Sequence, residues 1–103
     1  MRRFTLPLLL AAMLAGSLLA GCAGAPLQEM SDARQAIRAA ERAGAEKHAP
    51  APLAESRQLV EKARSSMQKG EYRDAREAAE QARERAVEAR RLAEGATNPP
   101  AGP

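Results

Sequence analysis

Small and apolar residues recur at alternating spacings of three and four along most of the chain, which is the period of one face of an α-helix. In the first such segment these positions are Met30, Ala33, Ile37, Ala40 and Gly44. The pattern predicts a helix over residues 27–47, with charged residues largely off that face. Asp32 followed by Gln35 matches a capping box, which leaves the start of the helix open between Leu27 and Ala33.

A second helix is predicted over residues 52–68. Because Pro50 and Pro52 interrupt the first pattern, the stretch HAPAP at residues 48–52 is expected to form a turn. Pro52 suits the first position of a helix. The small and apolar stripe that follows consists of Leu53, Ser56, Leu59, Val60, Ala63 and Met67. Gly70 tolerates a left-handed cap, so the helix is expected to stop near residue 68.

The third segment has the most regular pattern and predicts a helix over residues 71–94. Its stripe is Tyr72, Ala75, Ala79, Ala82, Ala86, Ala89 and Ala93. Charged pairs at spacings of three and four are expected to add a few tenths of a kcal/mol each. These pairs are Arg76–Glu80, Glu80–Arg83, Glu88–Arg91 and Arg90–Glu94. Residues 96–103, rich in proline and glycine, are expected to be a disordered tail.

Short connections between these segments favour antiparallel neighbours. The predicted fold is therefore all-α, with three antiparallel alanine-rich helices after an N-terminal signal helix. Small residues on the facing stripes would let the helix axes approach to about 8 Å. Each alanine buries only one methyl group, on the order of 0.8 kcal/mol, so the domain over residues 27–95 is expected to have a thin core and marginal stability.

Residues 1–21 have the layout of a secretory signal peptide, with a basic start, an apolar run and small residues at the end. An uncleaved spanning helix is the alternative, but Pro7 and several glycines interrupt the run. Cys22 is the only cysteine of the chain, so no internal disulfide can form. An ordinary buried cysteine is the alternative to chemical modification of this thiol.

The residues Leu19-Ala20-Gly21-Cys22 resemble the bacterial lipobox. The resemblance implies cleavage between Gly21 and Cys22, attachment of a diacylglycerol to the thiol, and acylation of the new amine. Because several acyl chains hold far better than one, membrane anchoring is expected, with residues 22–26 as a short lipidated linker. In enteric-type lipoproteins an aspartate after the cysteine is associated with inner-membrane retention. Ala23 stands there instead, which favours the outer membrane facing the periplasm, the inner membrane being the alternative.

The run AIRAAERAGAEKHAPAPLAESRQLVEKARSSMQKGEYRDAREAAEQARERAVEA resembles the helical family catalogued as domain of unknown function 4398. Its members are small bacterial envelope proteins, often lipoproteins, and the resemblance implies no activity. Within the run, KGEYRDAREAAEQA at residues 69–82 is similar to the turn of a tetratricopeptide repeat, with Gly70 at the turn and Tyr72 at a packing position. The turn signal does not recur 34 residues away, so at most one such unit is expected.

The charges after the cleavage site are nearly balanced, with 14 basic against 13 acidic residues. This balance and the absence of a basic face argue against nucleic-acid binding. His48 is the only histidine, and with no second ligand at a suitable spacing it is interpreted as an exposed turn residue. No catalytic residue, metal site or cofactor is predicted. Tyr72 is interpreted as a core plug at the turn, with a partner contact as the alternative.

The favoured function is that of a membrane-anchored envelope lipoprotein with a structural or protein-interaction role, packing on itself or on an envelope protein. The alternative is a noncovalent peptidoglycan-associated spacer that resembles the major murein lipoprotein. Covalent attachment in that family uses a C-terminal lysine, whereas this chain ends in Pro103. A hydrolase or metal protein is a third class, and the sequence gives it almost no support.

Overall fold

The computed structural model describes residues 24–98, and within this range the chain is almost entirely helical and has no strand. The helices are α1 (Leu27–Arg42), α2 (Ala45–His48), α3 (Pro50–Gln68) and α4 (Tyr72–Thr97). The predicted all-α fold is confirmed. None of these helices is long and apolar enough to cross a bilayer. The predicted signal peptide lies outside the described residues.

The first predicted helix is divided at Gly44, which the prediction had placed on its buried face. Gly44 has a φ of 89°, a left-handed conformation that a helix interior does not contain. Its N–H donates to the carbonyl of Glu41 at 3.0 Å, which closes the last turn of α1. The expected continuous helix over residues 27–47 is therefore wrong at this point, and the short α2 follows as a separate turn of helix.

The two prolines stand in the first turn of α3 and do not form a separate turn. Ala49 alone joins α2 to α3, and Pro50 occupies the first helical position. Proline is tolerated there because the first N–H groups of a helix have no partner within it. The N–H of Leu53 makes the first backbone bond of this helix, to the carbonyl of Ala49 at 3.3 Å. The predicted helix start at Pro52 is thus two residues late.

The turn between α3 and α4 agrees with the sequence prediction. Gly70 has a φ of 76°, and its N–H donates to the carbonyl of Met67 at 3.0 Å. The N–H of Glu71 donates to the carbonyl of Ser66 at 2.9 Å. These two bonds form a Schellman motif, which ends α3 at Gln68.

The first helix begins at Leu27, within the predicted range, but the predicted capping box and the predicted end of the last helix are wrong. The capping box does not form: Asp32 accepts a hydrogen bond from Gln28 at 2.8 Å, and Gln35 donates to Ser31 at 3.3 Å, all within α1. At the other end, α4 continues to Thr97, and the N–H of Asn98 donates to the carbonyl of Glu94 at 2.9 Å. Residues 96 and 97 therefore belong to α4, and the rest of the expected tail beyond residue 98 lies outside the described residues.

The longest helix, α4, packs along both α3 and α1, and these two contact each other much less. Glu29 near the start of α1 pairs with Arg76 near the start of α4 at 3.5 Å, so these two helices run parallel. Glu55 near the start of α3 pairs with Arg85 in the middle of α4 at 3.6 Å, as antiparallel helices require. The order is therefore up, down, up, as predicted.

The core is thin, as the composition predicts. The alanine stripe of α4 is completely buried, at Ala75, Ala79, Ala82, Ala86, Ala89 and Ala93. The larger apolar side chains buried in the core are Met30, Ile37, Leu53 and Val60. Ser56 is also fully buried and donates to the carbonyl of Leu53 at 2.7 Å, which satisfies its hydroxyl inside α3. Most of the core thus consists of single methyl groups between closely packed helices.

Candidate interaction surface

The predicted cleavage and lipidation residues, Gly21 and Cys22, lie outside the described residues, which start at Gly24. The first described residues are held firmly against the helices. The carbonyl of Gly24 accepts a hydrogen bond from Arg76 at 3.4 Å, and Pro26 is fully buried. The chain therefore enters the domain at the end where both α1 and α4 begin.

Tyr72 does not form the predicted core plug. It is the first residue of α4, and 41% of its surface remains exposed. The core nearest to this turn is closed by Ala75, which is completely buried. The prediction that Tyr72 fills the core is wrong. As the first residue of α4 it lies beside the turn and does not cover the buried alanine stripe. Gly70 is exposed and has open space around it, so what it contributes to the turn is its left-handed backbone conformation. The alternative of a partner contact at Tyr72 stays a prediction.

His48 ends α2 and is exposed. Glu46, two residues before His48, accepts a hydrogen bond from the Arg57 guanidinium at 2.8 Å. Arg57 also pairs with Glu41 at 3.4 Å, so it joins α3 to both α1 and α2. The hydrogen bond to Glu46 has the largest effect and raises the pKa of the Arg57 guanidinium; burial opposes it, and the charges of Glu41 and Glu46 raise the pKa further. These ion pairs of Arg57 with Glu41 and Glu46 stabilise the packing of α2 between α1 and α3.

Within residues 24–98, no three histidine, cysteine, aspartate or glutamate side chains are close enough to hold a metal ion. No buried side-chain nitrogen or oxygen in this range lacks a hydrogen-bond partner. Within the described residues, no buried polar side chain is therefore left without a hydrogen-bond partner and free to bind a ligand in the core. The chemistry that remains is on the outer surface of the helices.

A shallow groove of about 410 Å³ runs between α1 and α4. Its apolar floor is formed by Ala36, Ala39 and Val87, and Val87 is 49% exposed. Arg42, Arg83 and Arg90 stand around this floor, with Asp32 and Gln35 at one end. We name this feature the α1–α4 groove. The sequence prediction missed it because its floor combines the flanks of two helices, neither of which is a stripe by itself.

The predicted ion pairs along α4 form only in part. Arg90 and Glu94 pair at 2.8 Å, as expected. Arg76 instead binds Glu29 on α1, and Glu88 binds Arg85 rather than Arg91. The pairs Arg76–Glu80, Glu80–Arg83 and Glu88–Arg91 are absent from the described part of the chain. Only one of these differences comes from tertiary packing, because Arg76 binds a carboxylate on a neighbouring helix, whereas Glu88 binds a different arginine of its own helix.

The family model described as Domain of unknown function (DUF4398) matches residues 28–98, from α1 to the end of α4. This match confirms the resemblance that the alanine-rich segments indicate. No curated protein and no solved structure matches the chain.

Proposed function

The chain belongs to the DUF4398 family, and from this premise we propose that it is a lipoprotein of the bacterial envelope with a structural or protein-interaction role. In this proposal Cys22 carries the acyl chains, and residues 1–21 are removed. The observation that carries the proposal is the sequence Leu19-Ala20-Gly21-Cys22 at the end of a signal-like apolar run. The family membership adds no activity, since the family is one of unknown function.

The geometry at the start of the domain supports anchoring close to the membrane. Only Ala23 separates Cys22 from Gly24, and one residue spans at most about 3.6 Å. Gly24 is bonded to Arg76 of α4, so little slack remains between the proposed anchor and the helices. A lipid on Cys22 would therefore fix which end of the domain faces the bilayer.

The surface supports an interaction role rather than catalysis. The core consists mainly of alanine methyls, which limits the stability that the monomer gains from burial. Apolar side chains remain half-exposed at Val87 and Leu92 on α4. A partner that covers them would add buried area where the monomer has little. We propose that the protein is not an enzyme, and that its helical domain packs on a second copy of itself or on another envelope protein.

We place the protein in the outer membrane, facing the periplasm, because Ala23 follows the cysteine. Peptidoglycan association remains the alternative role, and a measurement with isolated cell walls separates the two. If the purified full chain sediments with peptidoglycan sacculi at physiological salt, the wall-spacer role is favoured. If it stays in the supernatant, the protein-interaction role is favoured.

The experiment that tests the proposal compares the parent chain with Cys22→Ser in cells labelled with palmitate. We expect the parent to carry the label and to fractionate with membranes, and Cys22→Ser to lose both properties because an alcohol cannot replace the thiol in this reaction. Ala23→Ser is the matched control: it changes the adjacent residue outside the four-residue motif and should keep the label. An unlabelled parent chain, or a labelled Cys22→Ser chain, would refute the proposal.

A further inference from the structure

A row of three arginines lies on the outer face of α1. Arg34, Arg38 and Arg42 follow each other at spacings of four residues. They wind from the flank of the buried stripe of Ala33, Ile37 and Ala40 toward the side opposite to it. All three are exposed, and none forms an ion pair within the described residues. The nearby carboxylate of Glu41 is already engaged by Arg57. We name these three arginines the basic ridge.

A row of glutamates with the same spacing lies on the outer face of α4. Glu80, Glu84 and Glu88 stand opposite the alanine stripe and form the acidic ridge. Glu80 and Glu84 are exposed and have no ion-pair partner in residues 24–98, while Glu88 pairs with Arg85 of its own helix. Glu77 extends the negative surface by one turn toward the start of α4. The chain thus carries a row of arginines on α1 and a row of glutamates on α4. All members except Glu88 lack an ion-pair partner within the described residues.

The two ridges lie at the same height along the domain. The pair Glu29–Arg76 fixes the level of α1 relative to α4. The arginines follow Glu29 by 5, 9 and 13 residues, and the glutamates follow Arg76 by 4, 8 and 12 residues. At about 1.5 Å per residue the members of each matched pair differ in height by only about 1.5 Å. Within residues 24–98 no ion pair joins the basic ridge to the acidic ridge.

From this match we propose that the basic ridge of one copy binds the acidic ridge of a second copy anchored in the same membrane. The inference rests on the proposed function, because lipidation at Cys22 would hold every copy by the same end. Neighbouring copies then stand parallel, with Arg34, Arg38 and Arg42 level with Glu80, Glu84 and Glu88. The occupant of each ridge is another copy of this chain, since every copy brings the complementary row at the matching height.

The energetics explain why the contact depends on the membrane. Each exposed ion pair stabilises by well under one kcal/mol in solution and is weakened by salt. Confinement to one bilayer raises the effective concentration and removes the antiparallel arrangements. Because the ridges are on different helices, the contact is heterologous, and a copy that has used its basic ridge still offers its acidic ridge. The predicted assemblies are therefore rows or rings of copies rather than closed pairs alone.

Photo-crosslinking of the full chain in intact cells tests this inference. A photoreactive phenylalanine replaces Gln35, which is exposed beside the basic ridge, and Gln58 on the exposed side of α3 is the control position. We expect a dimer-sized adduct from position 35, mapped by mass spectrometry to residues 77–91 of a second copy, and none from position 58. An adduct with another protein alone, or no adduct, overturns the inference.

Charge reversal provides the decisive comparison. Arg38→Glu alone and Glu84→Arg alone should each lower the adduct by about tenfold, the change that one lost pair and the new repulsion produce together. The double variant Arg38→Glu with Glu84→Arg should restore it, whereas Lys62→Glu on α3 should leave it unchanged. Single variants with the parent adduct yield, or a double variant that is not restored, overturn the inference.

Membrane fractionation of the same samples separates this inference from the proposed function. If the parent chain is in the membrane fraction and gives no adduct on α4, the ridge contact is wrong and the lipoprotein proposal stands. If the parent chain is absent from membranes, the proposed function itself fails. Circular dichroism of each purified variant checks that the helices remain, which the exposed positions of the changed residues favour.

Discussion

Leucine in place of Ala86 tests whether the alanine stripe of α4 is needed for close helix packing. Ala86 is completely buried in the middle of this stripe, with Ala82 and Ala89 buried on either side. Three additional carbon atoms at this position have no space between helices whose axes are close together. We expect the variant to be less stable than the parent, although leucine is more hydrophobic than alanine.

The magnitude follows from two opposing effects. Full burial of three more carbons would stabilise the fold by about 2.4 kcal/mol at 0.8 kcal/mol per carbon, if the helices could separate freely. Separation would strip contacts from the other alanines of the stripe, and overpacking of this kind costs about 1–3 kcal/mol net. We therefore expect Ala86→Leu to lower the free energy of unfolding by about 2 kcal/mol. In a domain this small, that is a large share of the total.

Urea unfolding of the full chain in detergent, followed by circular dichroism at 222 nm, measures this change. With a slope of roughly 1 kcal/mol per molar urea, the midpoint should fall by about 2 M. Ala54→Leu is the matched control, because Ala54 lies on the exposed side of α3 and its replacement should change stability by less than about 0.5 kcal/mol. An Ala86→Leu midpoint equal to or above that of the parent would refute the close-packing argument.

The other predictions concern the turn, the ion pairs of Arg57 and the anchor. Gly70→Ala should destabilise by about 1 kcal/mol in the same urea assay, because its φ of 76° strains any side chain. Gly95→Ala, at a helical position with open space around it, should instead stabilise by up to about 1 kcal/mol, and equal signs would contradict this reasoning. Arg57→Ala should lower stability by about 0.2–1 kcal/mol, with a difference that shrinks in 1 M salt; a salt-independent loss would point to packing. Ala23→Asp should move the protein from the outer- to the inner-membrane fraction on a sucrose gradient, and an unchanged distribution would contradict the sorting argument.

The sequence predicted the α4 stripe well because its signal is purely local. Alanine at strict spacings of three and four leaves only one face that can be buried, and Ala75 to Ala93 all follow it. The end of α3 at Gly70 was equally predictable, because a basic residue followed by glycine after a helical pattern is typical of a left-handed helix cap. Such features depend on neighbours within one or two turns.

The break at Gly44 could not be read with the same certainty. Glycine at a stripe position is compatible both with close packing inside a helix and with a left-handed end, and the sequence pattern favoured the first. The structure has the second, with a φ of 89°. Similarly, the sequence predicts a turn over residues 48–52 and a helix that begins at Pro52, whereas the helix begins at Pro50. Proline is compatible with either position as the first residue of a helix. Whether the chain breaks at Gly44 and starts a helix at Pro50 depends on the packing of α2 against α3 and α4.

The contacts between helices were beyond local reasoning. Arg76 has Glu80 at the ideal spacing on its own helix, yet it binds Glu29 on α1. The α1–α4 groove and the matched heights of the two ridges likewise depend on the register between α1 and α4. Periodicity shows which face of a helix is buried and does not show which residue of the partner lies opposite. For this reason the ridges are visible only once the helices are placed.

The measurement that tests the central claim most directly is the intact mass of the native protein extracted from cell envelopes. We expect a chain that begins at Cys22 and carries the added mass of a diacylglycerol and of an amide-linked fatty acid. A chain of residues 22–103 with an unmodified thiol, or a full-length chain that retains residues 1–21, would contradict it.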